Sequence, residues 1–382
     1  MPARLRICLA SMAPFVGGAE VAAERLAIGL GEAGHEVLVL LGSRGEVLER
    51  MEREGLRCRY SPMLLTDKWH WLKYERARKR LRRLIRDFAP EVVHSNDLPT
   101  HQIVSHAARG LGIPRICHHR FPFGSTAIDW MNKYGAERHL FVSKALMDEM
   151  AADSVQLDES PRTVVHDGLP LPPVPNAEGQ RRARLLLGLP EDRTIAVFTG
   201  QVIERKGVAD LIRAWTLLDD SVSPGAALVI VGDDLKDGGR YRVEMESLAR
   251  SLGCSARFVG FQDNVSDWLT ASDFAVVPSH VEPLGNATLE AMAHRRPVIG
   301  ANVGGIPEMV VHEETGLLVP PHASDRLAEA LSRLLRDPSL RARLGRQGRV
   351  RCEEQFSLQA HTRKVLDEYR HVLVHSGKGA SA

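Results

Sequence analysis

Glu282 and Glu290 stand eight positions apart in the run Glu282-Pro-Leu-Gly-Asn-Ala-Thr-Leu-Glu290, around a Gly285-Asn286 step that can open a helix through Leu289, Ala291 and Met292. A helix start exposes backbone N–H groups and carries a positive partial charge, so it attracts phosphate. Gly285 lets a bulky anion come close to the backbone. Glu290 follows Asn286 by four residues, one turn on and on the same face. A carboxylate set directly on a phosphate is repelled; one turn away it suits the neutral vicinal hydroxyls of a ribose. Glu282 stays in the loop, on the other side of the phosphate. The spacing describes a socket for a nucleoside diphosphate attached to a polyhydroxy group, that is, a nucleotide sugar.

Two further turns carry compatible chemistry. Gly200-Gln-Val-Ile-Glu-Arg205-Lys206-Gly207 follows a strand-like run at 195–199 and opens a helix at 207. A cation there neutralises charge as a bond to diphosphate breaks; the plain alternative is a solvated Arg205 and Lys206. Gly17-Gly18-Ala19-Glu20 follows the first strand and opens the next helix, so its backbone can approach a ligand, or it is simply a strand-to-helix turn. A Gly-x-Gly-x-x-Gly match at Gly29, Gly31 and Gly34 closes a helix and precedes a strand, the reverse of a dinucleotide fingerprint, and reads as a helix stop.

His118-His119-Arg120 follows the strand at 114–117. Adjacent side chains of an extended chain point in different directions, so one histidine could face a ligand as a donor to a sugar. No other ligand has metal spacing around them. The sequence has no Asp-x-Asp pair to bridge a metal to a diphosphate, so helix starts and basic side chains are expected to supply the electrostatics with neither metal nor cofactor.

The elements that would position these residues alternate along the chain. Runs at 5–11, 36–41, 91–94, 114–117, 138–142 and 162–165 read as strands, with helix patterns at 18–33, 69–88, 99–110 and 143–152. The proline-rich Leu169–Pro175 is too stiff and donor-poor for a helix or central strand and reads as a linker. The alternation then restarts, with strands at 195–198, 227–231, 257–259, 274–277 and 297–299 and helices at 207–218, 240–252, 286–295 and 323–335. A helical tail spans 338–375, and Ser376–Ala382 looks frayed, its Gly-Lys-Gly lacking the rest of a phosphate loop. The expected architecture is α/β: an N-terminal domain over 1–168, a C-terminal domain over 169–355, and a final helical segment over 356–382. Two doubly wound domains would face a cleft at the carboxyl ends of their strands.

At 382 residues, with 44% hydrophobic and 26% charged residues, the chain is globular and long enough for two domains. Its net charge of +2 argues against a nucleic-acid partner held by bulk charge. Five scattered cysteines, an odd number without metal spacing, fit a reduced cytoplasmic protein. Arg4 and Arg6 before Ile-Cys-Leu-Ala resemble a signal peptide only superficially, because the apolar run breaks at Pro14. No segment has the length of a membrane span. The stretch from Lys68 to Arg86 is densely basic and carries Trp69, Trp71 and Tyr74; such a helix either docks on anionic lipid at the inner membrane face or is a solvated surface.

Together these residues resemble family 4 of the retaining glycosyltransferases, which have the two-Rossmann GT-B fold. The resemblance rests on the Gly17–Glu20 loop, the Gly200…Lys206-Gly207 turn, Val231-Gly232-Asp233, and Glu282…Glu290-Ala-Met-Ala293. Gly304-Gly305-Ile-Pro307-Glu308 and Gly316-Leu-Leu-Val-Pro320 follow in the same order. It implies sugar transfer from a nucleotide donor with retention of configuration. Glu290 would hold the ribose and Glu282 would lie near the donor sugar. Lys206 and the backbone around Leu284, Gly285, Asn286 and Ala287 would hold the diphosphate. The N-terminal domain would bind a glycan or lipid-linked acceptor, and the final helix would cross back onto that domain. Family members commonly carry arginine where Gln201 stands, a loss Arg205 would offset, and histidine where Arg120 stands. Which of His118, His119 and Arg120 takes that role is open. Two other readings of the same fold are a sugar-nucleotide epimerase and a non-catalytic nucleotide-sugar-binding subunit.

Overall fold

A computed structural model describes residues 4–66, 69–219, 221–234 and 238–375. Lys68 and the Ser376–Ala382 tail lie outside them. The chain forms two compact units, one of Met1–Pro170 with Ser357–Ala382, the other of Leu171–Phe356. The proline-rich passage is where the chain leaves the first unit.

The first unit holds seven strands, β1 (Arg6–Ser11), β2 (Glu36–Leu41), β3 (Cys58–Tyr60), β4 (Val92–Ser95), β5 (Arg115–His119), β6 (Arg138–Phe141) and β7 (Arg162–Val164), in the order β3-β2-β1-β4-β5-β6-β7. Every pairing is parallel. A parallel sheet is covered on both faces, so its central strands are continuous apolar runs. One face packs Leu26, Ala27 and Leu30 of helix Gly18–Glu32 with Val365, Leu366 and Tyr369 of helix Leu358–His375. The other packs Leu81 and Ile85 of helix Trp71–Phe88 with Ile103 and Val104 of helix Leu98–Ala108.

The second unit holds β8 (Thr194–Thr199), β9 (Ala226–Val231), β10 (Ala256–Phe258), β11 (Phe274–Val277), β12 (Val298–Ala301) and β13 (Gly316–Val319), in the order β10-β9-β8-β11-β12-β13. These pairings are parallel too. In both units the order reverses beside the first strand, between β1 and β4 and between β8 and β11. At such a switch point the loops leaving the two strands diverge to opposite faces and open a crevice at the carboxyl ends.

The structure differs from the sequence reading at several elements. The helical tail is two helices, Pro338–Gln355 and Leu358–His375, separated at Phe356-Ser357. Helices Glu46–Arg53, Ala177–Leu186 and Val265–Ala271, short and predominantly polar or broken in pattern, were not foreseen, nor were β3 and β13. Gly29 and Gly31 lie inside helix Gly18–Glu32, and a side chain at Gly29 would meet Thr362 Oγ1 at 2.2 Å, so this glycine serves the packing of the C-terminal helix.

Candidate functional site

In the second unit, register Phe274↔Ala196 and Ala275↔Val197 sets β11 beside β8, so the loops after them start together at the switch point. The β8 loop runs from Gly200 through a single 3-10 turn, Glu204–Lys206, to helix Val208–Thr216. The β11 loop runs from Pro278 to Gly285 and opens helix Asn286–Ala293. The two are stitched together: the N–H of His280 donates to the Arg205 carbonyl at 2.8 Å, and Arg205 Nη1 donates to the Val281 carbonyl at 3.4 Å.

Lys206 Nζ and Glu282 Oε2 form an ion pair across this stitch, and Ser279 Oγ donates to the same carboxylate oxygen at 3.2 Å. Both charged side chains are largely buried, Lys206 at 16% and Glu282 at 8% exposure. The structure therefore joins two residues to which the sequence assigned separate tasks. Glu282 is also held from behind. Its carbonyl accepts from the Gly305 N–H at 3.1 Å, and a Cβ at Gly304 would fall 1.7 Å from that oxygen, so only glycine fits there.

Gly285 caps the following helix with φ +103, the left-handed region glycine enters without steric cost. Leu284 is buried beneath it, while Asn286, Ala287 and Glu290 are half-buried. The first N–H groups of a helix have no intrahelical acceptor, and Asn286 Oδ1, though buried, has no hydrogen-bond partner. One element thus presents backbone donors and an unengaged amide, with Glu290 one turn further on. The arrangement can take an anion at the helix start, a cation-stabilised charge at Lys206 and hydroxyls at a carboxylate. Ser279 gave no sequence signal; it is found only through its bond to Glu282.

The other sequence-singled residues lie in the first unit. Gly17 starts helix Gly18–Glu32, and its N–H donates to Glu20 Oε2 at 3.2 Å, so the glycine turn closes on its own glutamate. Ser11 Oγ reaches Glu20 Oε1 at 3.4 Å. Burial raises the Glu20 carboxyl above the usual range, as it does that of Asp97, the N-cap of helix Leu98–Ala108. Arg120 donates from Nε to Asn96 Oδ1 at 2.8 Å and from Nη1 to Asp167 Oδ1 at 2.5 Å. Asn96, Asp97 and Asp167, which the sequence did not flag, surround it.

His118 and His119 do point to opposite sides of β5, but both rings are buried, at 0% and 1% exposure. His119 Nε2 bonds His139 Nδ1 at 2.9 Å, and its ring stacks on Phe141. His118 lies beside His94, with its Nδ1 3.5 Å from Arg120 Nη2. β5 is an interior strand, between β4 and β6, and its alternation sends the His118 ring toward His94 and Arg120 and the His119 ring toward His139 and Phe141. Burial holds both imidazoles well below their ordinary pKa.

Two parallel α/β units with reversed strand order at their first strands define the GT-B fold. The Anabaena protein HepE, solved with UDP and glucose, shares it at a TM-score of 0.83 and 18% identity, over 96% of this chain and 99% of that one. The sequence profile of the glycosyl transferases group 1 matches residues 180–351, and that of glycosyltransferase family 4 matches residues 16–171. The chain belongs to this glycosyltransferase family. Alpha-maltose-1-phosphate synthase of Mycobacterium tuberculosis is 33% identical over 265 residues, 65% of this chain and 66% of that protein, so the chain spans just under two thirds of that relative's length. The lipopolysaccharide core biosynthesis glycosyltransferase LpsD of Rhizobium meliloti is 29% identical over 294 residues, 75% of this chain and 77% of that protein.

Proposed function

We propose that the protein transfers a sugar, with retention of anomeric configuration, from a nucleoside-diphosphate sugar to a glycan or lipid-linked acceptor, without a metal on the diphosphate. The observation that carries this reading is the Lys206–Glu282 ion pair set beside the helix start at Asn286. The diphosphate takes the backbone donors of Leu284 to Ala287 and competes for the Lys206 ammonium. Glu282, released from its cation, accepts hydrogen bonds from the donor sugar, while Glu290 accepts those of the ribose. As the glycosyl bond breaks, negative charge grows on the departing diphosphate. Lys206, Arg205 and the helix start stabilise it without reorganising, and the acceptor hydroxyl attacks from the same face. HepE was solved with UDP and glucose, which makes uridine-diphosphate hexoses the first donors to try. The Rhizobium relative favours a lipid-anchored glycan acceptor.

The test is a thermal-shift screen of nucleotide sugars, because a ligand bound to the native state raises the melting temperature, followed by turnover with the best donor. Transfer with retained configuration supports the reading. An epimerised donor in the absence of acceptor, or tight donor binding with no turnover on any acceptor, replaces it with the epimerase or the binding subunit.

A further inference from the structure

Next to the Lys206–Glu282 pair lies a cluster of a different chemistry, whose side chains have no part in the proposed donor contacts. Asp210 stands in the first turn of helix Val208–Thr216, His280 in the loop after β11, and His322 in the loop between β13 and helix Ser324–Arg336. His280 Nε2 is 2.7 Å from Asp210 Oδ2, and His322 Nδ1 is 3.9 Å from the same oxygen. The two imidazole rings are neighbours, tilted by 31° with centroids 3.7 Å apart. One ligand atom from each residue lies within 4.8 Å of the others.

We propose that Asp210, His280 and His322 bind one first-row divalent cation of zinc type. Nitrogen and oxygen ligands stand about 2.0–2.2 Å from zinc, so those of one tetrahedral ion are roughly 3.3 Å apart. The distances 2.7 and 3.9 Å straddle that value, and a small movement of His322 equalises them. His322 can make it, since its side chain is 66% exposed and gives the ion an entry path. Imidazole nitrogens with a carboxylate suit zinc, cobalt and nickel rather than magnesium or calcium. The carboxylate is already oriented from behind, for Arg213 Nη1 donates to Asp210 Oδ1 at 3.2 Å and leaves Oδ2 to the ion. Two further details fit a ligand position. His322 adopts φ +58, an uncommon conformation for a non-glycine residue, and its ring lies beside that of His280. His280 is fixed through its own N–H on the Arg205 carbonyl. Three protein ligands leave a fourth position for water.

The ion would tie the first turn of helix Val208–Thr216 to the loops after β11 and β13. Because His280 is two residues from Glu282 and bonded to the residue before Lys206, it would also stiffen the frame of that pair. It is a structural ion next to the donor site and does not touch the diphosphate; the proposal stands whether or not the chain transfers a sugar.

The experiment uses the full chain, stripped with chelator, and cobalt(II) and zinc(II) as probes, with no nucleotide present. Titration should give one strong site per chain, with visible cobalt absorption typical of low coordination that zinc displaces, and a melting temperature raised by zinc. His322→Asn, which keeps a residue tolerant of the left-handed backbone, should weaken binding at least on the order of 10- to 100-fold. Asp210→Asn should do the same without changing side-chain size. His375→Asn, at the exposed His371–His375 pair one turn apart on the C-terminal helix, should leave binding unchanged. Absence of a stoichiometric site overturns the proposal, as does binding that survives His322→Asn and Asp210→Asn or that follows His375→Asn.

Discussion

Lys206 and Glu282 are 76 residues apart in sequence and form an ion pair at the carboxyl ends of two neighbouring strands. Neither β8 nor β11 alone makes this contact; it exists because the strand order places them side by side. On the proposed reading the pair gives each residue two states, one paired and one engaged with the donor. Lys206→Ala is expected to lower turnover by on the order of 10²–10³, the scale of losing one donor that stabilises developing charge. It also leaves Glu282 with an uncompensated charge. Full burial would make that cost roughly 3–5 kcal/mol, and partial exposure of both groups lowers it to about 2 kcal/mol. Urea unfolding and steady-state kinetics on the same preparation separate the effects. A folded variant with unchanged turnover removes Lys206 from the mechanism.

Glu290 predicts a different kinetic signature. On the proposed reading it is remote from the bond that breaks, and its hydrogen bonds to a ribose would be alike in the bound donor and in the transition state. Such uniform binding affects affinity rather than the chemical step. Glu290→Ala should raise KM for the donor about 10-fold or more, the worth of a hydrogen bond to a charged group, with kcat within about twofold. A fall in kcat at unchanged KM would place Glu290 at the reacting centre instead.

Gly304 is the tightest constraint on the site. A methyl group there would sit 1.7 Å from the Glu282 carbonyl oxygen, and the backbone has φ +52. Gly304→Ala must push the Glu282 loop away, at a cost of about 2 kcal/mol or more, and should abolish donor binding before it abolishes folding. Equilibrium binding of the donor to a variant with a native circular-dichroism spectrum measures this; retained affinity would mean the loop position is not critical.

How legible these relationships are in the sequence depends on their range. The central strands are readable because a parallel sheet buried on both faces is an uninterrupted apolar run, as in Ala227–Val231. The glycine-capped helix start from Gly285 to Glu290 is readable because its parts lie within two turns of one helix. β3 escapes notice because it is three residues long, with Arg59 exposed in its middle. The break at Phe356-Ser357 interrupts no composition pattern; it marks where the chain passes from the second unit back to the first. The Lys206–Glu282 pair, and the engagement of Arg120 by Asn96 and Asp167, follow from strand order, which periodicity does not encode. The burial of His118 and His119 is hidden for a related reason: it follows from β5 lying inside the sheet with neighbours on both sides, which the dipeptide itself does not encode.

The basic helix predicts an electrostatic membrane contact. In helix Trp71–Phe88 the residues Tyr74, Ala77, Leu81, Ile85 and Phe88 face the core. Part of the charge is spent internally: Arg82 caps the carbonyls of Ala107 and Arg109, and Arg78 pairs with Glu75. Lys73, Arg76, Lys79 and Arg83 remain exposed, and Trp69 and Trp71 at the N-terminal end are 89% and 60% exposed. Among the described residues no helix is long and apolar enough to cross a membrane. Basic residues near an anionic surface contribute about 1 kcal/mol each, within a Debye length. Co-sedimentation with phosphatidylserine vesicles at low salt is therefore expected to drop by on the order of 10-fold or more when Lys73, Arg76, Lys79 and Arg83 are replaced together by glutamine. Salt-independent binding, or none, would leave this helix a solvated face.

The first unit should be sensitive to acid, through its buried histidines. Burial pushes His94 and His139 down to about 3 and His101 and His361 down to about 4, and holds His118 and His119 well below the ordinary value. The ordinary value is 6.5, so between there and about 4 the unfolded chain binds protons that the folded one refuses. Stability contributed by these neutral rings is complete above 6.5 and is lost as the pH falls toward their folded values. Each histidine contributes a slope of at most about 1.4 kcal/mol per pH unit. Glu20 and Asp97 act in the opposite sense, because their carboxyls are raised by burial and take up protons earlier when folded. Six rings outweigh two carboxyls through most of the window. The urea midpoint for loss of first-unit structure, followed by hydrogen exchange, should fall steeply between neutrality and about pH 5. Replacing His94, whose Nδ1 bonds the Tyr369 hydroxyl at 2.7 Å, by glutamine should flatten that slope while lowering stability at neutral pH. A midpoint independent of pH over this range would mean that the rings are solvated or protonated in the folded protein, against their burial.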